Sequence, residues 1–263
     1  MKICMIGTGY VGLVSGACLA DFGHRVVCVD IDRDRIDALG RGEIPIYEPE
    51  LKDVVARNVE GERLLFTTDL AKTVSDADVV FIAVGTPSQP DGGTDLKYVF
   101  DAATDIAKHL TGYTVVVQKS TAPVGTARRV AEAIAKAKPK GAEFDVVSNP
   151  EFLREGSAVG DFLRPDRVVI GVQSERARDV MRNVYRPLYL LETPIVSTSL
   201  ESAEMIKYAA NAFLATKISF INEMAHICEL VGANIDEVAY GMGLDGRIGK
   251  KFLHSGIGYG GSC

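Results

Sequence analysis

Gly7-Thr8-Gly9-Tyr10-Val11-Gly12 directly follows the apolar run Ile3-Cys4-Met5-Ile6 and opens a helical pattern that runs from Val11 to Phe22. A strand that turns on three glycines into a helix leaves few folds open to the chain. The first glycine permits the tight turn, the second lets backbone approach a diphosphate, and the third lets the helix pack closely on the strand, while the helix N-terminus offers oriented N–H donors. Asp30 ends the next apolar run, Arg25 to Val29. A carboxylate there accepts from both hydroxyls of a ribose and repels a 2′-phosphate, so NAD is expected rather than NADP. Arg33 and Arg35 stand close by, the residue type that would otherwise favour the phosphate.

Beyond this turn, short β-rich runs at 64–67, 79–84, 114–118, 145–148, 167–172 and 194–196 alternate with helical patterns at 96–110, 126–137 and 175–185. Such alternation predicts parallel strands joined by crossovers, hence an α/β, doubly wound sheet. The pattern changes near Thr198. Residues 199–231 read as one uninterrupted helix with apolar positions at Ile206, Ala210, Phe213, Ile221, Ala225 and Cys228, closed by Gly232. At roughly 45 Å such a helix is longer than one small domain, so it is expected to connect domains or to pack on a second copy. Two short helices, 235–242 and 245–253, are expected to follow. The division predicted is 1–198 for the cofactor domain and 199–263 for the connecting helix, the short helices and a glycine-rich loop.

The chain has 263 residues, enough for a sizeable core, and 35 acidic against 29 basic side chains give a net charge of −6. A mildly acidic surface argues against non-specific nucleic-acid binding. The apolar N-terminal run is too short for a signal peptide, and no apolar stretch reaches the length of a membrane span. Five cysteines, odd in number and without a CxxC pair, argue against a disulfide framework or a zinc site, so no metal is expected and the cytoplasm is the natural compartment.

Five further segments hold candidate chemistry. Gly85-Thr86-Pro87 and Lys119-Ser120-Thr121 each terminate an apolar strand on the carboxyl edge, where open α/β sheets bind ligands. Asn149-Pro150-Glu151-Phe152-Leu153-Arg154-Glu155-Gly156 carries two carboxylates four residues apart. Taken alone, that pair is equally a solvated turn. Lys207 and Asn211 are spaced to share one helix face, though an isolated helical lysine is usually just hydrated. Finally, Gly258-Tyr259-Gly260-Gly261-Ser262-Cys263 surrounds one thiol with backbone able to approach a ligand closely. Either it is a glycine tail with an incidental cysteine, or it presents a nucleophile. A thiol beside a nicotinamide cofactor suggests aldehyde oxidation through a thioester.

In order along the chain, GTGYVG at 7–12, GTP at 85–87, KSTAPVGT at 119–126, NPEFLREG at 149–156, IKYAANAFLA at 206–215, GRIGKKFL at 246–253 and GYGGSC at 258–263 resemble the UDP-glucose branch of the nucleotide-sugar dehydrogenase family. The resemblance spans the whole chain. It implies a Rossmann-type cofactor domain and the four-electron oxidation of UDP-glucose to UDP-glucuronate with two NAD⁺. Cys263 then matches the nucleophile. Lys207 and Asn211 would stabilise developing oxyanions, and Glu151 with Thr121 would orient water and move protons. Gly7, Gly9, Tyr10, Val11, Gly12, Asp30, Arg35, Gly85, Thr86, Pro87, Ser120, Thr121 and Glu155 would line the cofactor. Glu151, Phe152, Leu153, Glu155, Lys207 and Asn211 would face the sugar, joined by Phe252, Leu253, Gly256, Tyr259 and Gly260 around the sugar and diphosphate. Arg247 resembles an arginine that reaches the partner subunit's substrate, which implies a homodimer or larger homo-oligomer.

Two departures accompany the resemblance. His254 stands where some relatives carry lysine, and members of the family continue past the cysteine with an aspartate and a nucleotide-binding domain, so the chain is expected to be either a fragment of a longer enzyme or a shortened gene product. Three rival readings remain. GDP-mannose and UDP-N-acetylmannosamine dehydrogenases share the scaffold; β-hydroxyacid dehydrogenases share the glycine turn and the lysine–asparagine helix but need no thiol; and a non-catalytic NAD-binding or dimerisation module needs only the two ends of the pattern.

Overall fold

The computed structural model describes residues 1–256, which leaves Tyr259, Gly260 and Cys263 outside the described residues. Two compact units emerge, Met1–Lys207 and Tyr208–Cys263. The first contains eight strands: β1 (Lys2–Ile6), β2 (Arg25–Val29), β3 (Leu64–Thr67), β4 (Val79–Ile82), β5 (Tyr113–Gln118), β6 (Glu143–Ser148), β7 (Val168–Gly171) and β8 (Ile195–Thr198). Between them lie α1 (Tyr10–Asp21), α2 (Arg33–Gly40), α3 (Leu51–Glu60), α4 (Leu70–Ser75), α5 (Lys97–His109), α6 (Thr126–Ala137), α7 (Ala158–Leu163) and α8 (Glu175–Val184).

The strands form one sheet in the order β3-β2-β1-β4-β5-β6-β7-β8. Its first six strands are parallel, and both faces are buried, as their nearly continuous apolar sequences require. Alternation along each strand sorts side chains into two cores. Ile3, Met5, Val79, Phe81, Val115 and Val117 join Leu13, Val14, Val54, Phe162 and Met181 on one face. On the other, Cys4, Val80, Ile82 and Val116 pack with Val99, Ile106, Val130 and Ile134. Each large side chain so enclosed contributes roughly 1.5–3 kcal/mol.

The expected doubly wound parallel sheet is present, with one departure at its far edge. β7 meets β6 antiparallel through the single pair Ser148↔Gly171, and β8 pairs parallel with β7. A short strand buried on both faces has the same composition in either direction, so its polarity is not encoded locally.

Helix α9 (Leu200–Val231) runs for 32 residues. In the second unit α10 (Ile235–Gly243) begins at Asn234, whose side chain accepts from the Asp236 N–H at 2.9 Å. The helix expected at 245–253 is not formed. Residues 244–253 make turns instead, with left-handed backbone at Gly249 (φ 73°) and at Phe252 (φ 64°), a conformation that no α-helix accommodates. Among the described residues no helix is long and apolar enough to cross a membrane.

Candidate active site

The order of strands reverses between β1 and β4, and the glycine turn sits at that switch point. Gly7 has φ 97°, and a Cβ on it would lie 2.5 Å from the Ala83 carbonyl oxygen at the end of β4. A Cβ on Gly12 would lie 1.9 Å from the Gly7 carbonyl oxygen. Both positions therefore require glycine for packing. Gly9 differs, because a Cβ there would meet no protein atom within 4 Å. It is the N-cap of α1, and neither a side-chain cap nor a first-turn acid answers the helix N–H groups. Open space above uncapped, aligned donors fits a diphosphate.

Asp30 follows β2 on the same edge. Its Oδ2 accepts from the Thr8 N–H and the Thr8 hydroxyl, both at 2.7 Å, and its Oδ1 accepts from the Asp32 N–H at 3.1 Å. Burial would raise its pKa, but these donors and the Arg35 guanidinium, 3.7 Å away, hold it below the usual carboxylate value. The carboxylate expected to face a ribose is thus a fixed anion. Asp30→Ala is expected to weaken NAD⁺ binding about ten- to a hundredfold and to narrow the preference over NADP⁺, since a charge-assisted hydrogen bond is worth about 1.5–3 kcal/mol. Calorimetric titration with both cofactors checks this; equal affinity of the parent protein for the two would contradict it.

Two loops close the carboxyl edge beside this turn. The Thr86 hydroxyl donates to the Thr121 carbonyl at 2.8 Å, and the Ser120 hydroxyl donates to the Val84 carbonyl at 2.7 Å. Gly85-Thr86-Pro87 and Ser120-Thr121 are thereby brought together. Tyr10 donates its hydroxyl to Glu48, and burial followed by that contact raises the Tyr10 pKa. Glu48 also accepts from the Gly156 and Ala158 N–H groups, each at 2.8 Å, tying the 149–156 segment to the glycine turn. Glu155 lies on this side, where its charge acts on Tyr10. Val11 packs against the core beneath.

The two carboxylates four residues apart have separate surroundings. Glu155 is exposed, whereas Glu151 turns inward and accepts from Lys207 Nζ at 2.8 Å, with the two side chains only 10% and 9% exposed. Lys207 is therefore no hydrated surface lysine. Glu151 Oε2 also accepts from the Leu153 N–H at 2.6 Å. The Phe152 ring carries the Arg167 guanidinium 3.7 Å from its centre and Lys207 Nζ at 5.3 Å. Three elements thus assemble one enclosed ion pair.

Further charged residues are fixed around this part of the fold, two of them, Glu204 and Glu48, outside the motifs read from the sequence. Glu204, one turn before Lys207, accepts from the Gly125 N–H at 2.7 Å and the Ala127 N–H at 2.8 Å, fixing the start of α6 and the loop that holds Thr121. Burial raises its pKa despite those two bonds. Lys119 is buried and donates to Asn149 Oδ1 at 3.3 Å. Its signal was visible: a lysine straight after Val115-Val116-Val117-Gln118 falls where a strand is covered on both faces. Glu48 has no local signal, because its partners lie 38, 108 and 110 residues away.

In the second unit, Asn211 is exposed on α9. Arg247, 89% exposed, pairs with Asp245 at 2.6 Å. Leu253 is buried, Phe252 is half-buried, and the Gly256 N–H donates to Asn222 Oδ1 at 2.9 Å, anchoring the chain seven residues before Cys263. Among the other cysteines, Cys4, Cys18 and Cys28 are fully buried. Burial pushes the thiols of Cys18 and Cys28 up to about 12 and that of Cys4 higher still, so none of these three is a nucleophile near neutral pH.

A glycine turn at the sheet's switch point, a helix N-terminus above it and a fixed aspartate after the second strand define a dinucleotide-binding domain. The chain belongs to the UDP-glucose/GDP-mannose dehydrogenase family: residues 1–189 match its NAD binding domain and residues 201–263 its central domain. NAD is accordingly the cofactor of this domain. A UDP-glucose 6-dehydrogenase of Rhizobium meliloti (strain 1021) is 62% identical over an alignment of 266 positions that covers all of this chain and 61% of the relative. The structure of a UDP-glucose dehydrogenase from the hyperthermophilic archaeon Pyrobaculum islandicum is similar with a TM-score of 0.95 at 42% identity, covering 99% of this chain and 60% of that one. A GDP-mannose dehydrogenase from Pseudomonas aeruginosa gives 0.89 at 37%, covering all of this chain and 62% of the other. The chain spans about three fifths of the length of the curated relatives it matches.

Proposed function

We propose that the chain carries the cofactor and catalytic portion of an enzyme that oxidises UDP-glucose to UDP-glucuronate in the cytoplasm. In this reading 1–198 is the NAD-binding domain and 199–263 supplies the connecting and dimerising helix and the catalytic loop. The observation that carries it is the enclosed Glu151–Lys207 pair on the carboxyl edge of an NAD-binding sheet. The choice of UDP-glucose over GDP-mannose or UDP-N-acetylmannosamine rests on 62% identity to a relative named for UDP-glucose, against 37% for the GDP-mannose enzyme.

Bound NAD⁺ accepts the hydride equivalent in each of two oxidation steps. The chain's own groups do the rest. Glu151 takes the proton as the C6 alcohol becomes an aldehyde, and the Lys207 ammonium stabilises charge on that oxygen. Cys263 then adds its sulfur to the aldehyde carbon, and the oxygen becomes the hydroxyl of a thiohemiacetal. Loss of hydride and proton leaves a thioester on Cys263. Water held by Glu151 and Thr121 attacks it, the C–S bond breaks, and the thiol and the carboxylate product separate. By the family resemblance, Asn211 would donate a further hydrogen bond to that oxygen, and Phe252, Leu253, Gly256, Tyr259 and Gly260 would hold the sugar and diphosphate. Full turnover is expected to yield two NADH and one UDP-glucuronate per UDP-glucose. One NADH per sugar with an aldehyde product, or no NADH, would contradict the reading.

Association follows from α9, where Met205, Phe213, Phe220, Ile227 and Leu230 are between 45% and 85% exposed. That much apolar surface supports pairing with a second copy, across which the outward-pointing Arg247 would reach the partner's substrate. Light scattering at micromolar concentration is expected to give at least a dimer mass; a strict monomer would speak against this.

A further inference from the structure

The connection between α2 and α3, residues 41–50, forms neither helix nor strand, yet it carries one carboxylate into the interior. Ile44 and Ile46 pack on the core and Glu48 follows them inward at 6% exposure, while Tyr47 between them points out at 91%. The Glu48 carboxylate accepts three hydrogen bonds, all from neutral donors: the Tyr10 hydroxyl and the Gly156 N–H on Oε2, the latter at 2.8 Å, and the Ala158 N–H on Oε1 at 2.8 Å. What Glu48 supplies is therefore geometry, three donors from two distant segments converging on one buried acceptor. Tyr10 is the first residue of α1, directly after the N-cap Gly9 above which a diphosphate fits. Gly156 and Ala158 belong to the segment that carries Glu151. Short-range bonds fold that segment on itself: the Leu153 N–H donates to Glu151 Oε2 at 2.6 Å, the Ser157 N–H to the Arg154 carbonyl at 3.0 Å, and the Arg154 N–H to Asp161 Oδ2 at 2.9 Å. Glu48 joins this small folded unit to the glycine turn.

We propose that Glu48 is a positioning residue through which NAD⁺, once seated at the glycine turn, steadies the 149–158 segment and with it Glu151. The cofactor restrains the head of α1 and therefore Tyr10. The Tyr10 hydroxyl holds the Glu48 carboxylate, and the carboxylate holds the Gly156 and Ala158 N–H groups. The segment then has two states, clamped by Glu48 or released from it, and a ligand that orders the glycine turn favours the clamped one; by linkage, the clamped state binds that ligand more tightly. The consequence for catalysis, that the candidate base is held in place only when cofactor is present, rests on the dehydrogenase reading above. The linkage itself requires only that NAD is the cofactor of this domain.

The test is hydrogen–deuterium exchange of the backbone at 153–161 in the full-length enzyme, with and without saturating NAD⁺, beside calorimetric titration of NAD⁺. NAD⁺ is expected to slow exchange there about tenfold in the parent and less than about twofold in Tyr10→Phe, which keeps the ring and removes only the hydroxyl. The same variant is expected to bind NAD⁺ about five- to tenfold more weakly. Glu48→Gln preserves size but replaces one acceptor oxygen with an NH₂ that cannot accept, so a donor is left unpaired in the interior, and it is expected to act in the same direction. Combining the two should weaken NAD⁺ binding less than about twofold beyond Glu48→Gln alone, because both break one chain of contacts. Should Glu48→Gln not fold, Tyr10→Phe decides by itself. A purely structural Glu48 would lower the melting temperature of both variants and leave the NAD⁺-dependent slowing as large as in the parent. That result, or no slowing in the parent, or fully additive losses in the double variant, would overturn the proposal. Absence of UDP-glucose oxidation in the parent enzyme would sink the proposed function instead, leaving the exchange measurement to decide the linkage.

Discussion

Lys207→Ala is expected to lower the rate of NADH formation from UDP-glucose in the full-length enzyme about a hundredfold, while NAD⁺ affinity stays within about twofold. In the proposed reaction the two effects separate because the glycine turn and Asp30 would hold the cofactor without Lys207. The ammonium would stand where negative charge develops on the C6 oxygen, and removing one such donor typically costs about 2.7–4 kcal/mol. A second cost arises in the resting protein. Glu151 and Lys207 are both about nine-tenths enclosed, so deleting one partner leaves a carboxylate without its counter-charge. The variant should therefore also melt at a lower temperature, and Lys207→Met, which keeps the packing of the stem, should recover part of that loss but none of the rate. Steady-state NADH formation with parallel cofactor titration decides it. A rate within threefold of the parent enzyme would remove Lys207 from the chemistry.

The half of the candidate site proposed to bind cofactor is legible in the sequence because it is local. Strand β1, the three glycines, α1, β2 and Asp30 lie within thirty residues, and the steric reasons for Gly7 and Gly12 act over one turn. The long α9 was readable for a similar reason: no proline, glycine or β-rich run interrupts it. The half proposed for catalysis is different. Glu151 and Lys207 are 56 residues apart, Lys119 and Asn149 are 30 apart, and Glu48 reaches Gly156 across 108, so only the folded chain brings them together. Motifs pointed to Glu151 and Lys207 separately; nothing in their spacing said that they pair.

The misreadings have equally specific causes. The direction of β7 is set by how the chain returns to the sheet, and Val168-Val169-Ile170-Gly171 contains no trace of it. Residues 245–253 offer helix-like apolar spacing at Ile248, Phe252 and Leu253, but Gly246 and Gly249 flank the first of these, and the left-handed backbone at Phe252 turns the segment away. Four helices, α2, α3, α4 and α7, lie outside the helical patterns of the sequence; α2 and α4 each begin at an aspartate, Asp32 or Asp69, whose side chain accepts from an N–H three residues on, a cap that the sequence does display.

Cys263 bears the central chemical claim, that one thiol carries the sugar from aldehyde to acid. Cys263→Ser preserves size, but a serine hydroxyl without a dedicated base is a poor nucleophile, and an oxygen ester is harder to form and to clear than a thioester. The decisive measurement is UDP-glucuronate formed by the full-length Cys263→Ser enzyme, quantified alongside NAD⁺ affinity. Acid formation is expected to fall at least about a thousandfold, with NAD⁺ binding within about twofold of the parent. UDP-glucuronate appearing at near the parental rate would show that Cys263 is not the nucleophile and that the thioester route is wrong for this protein.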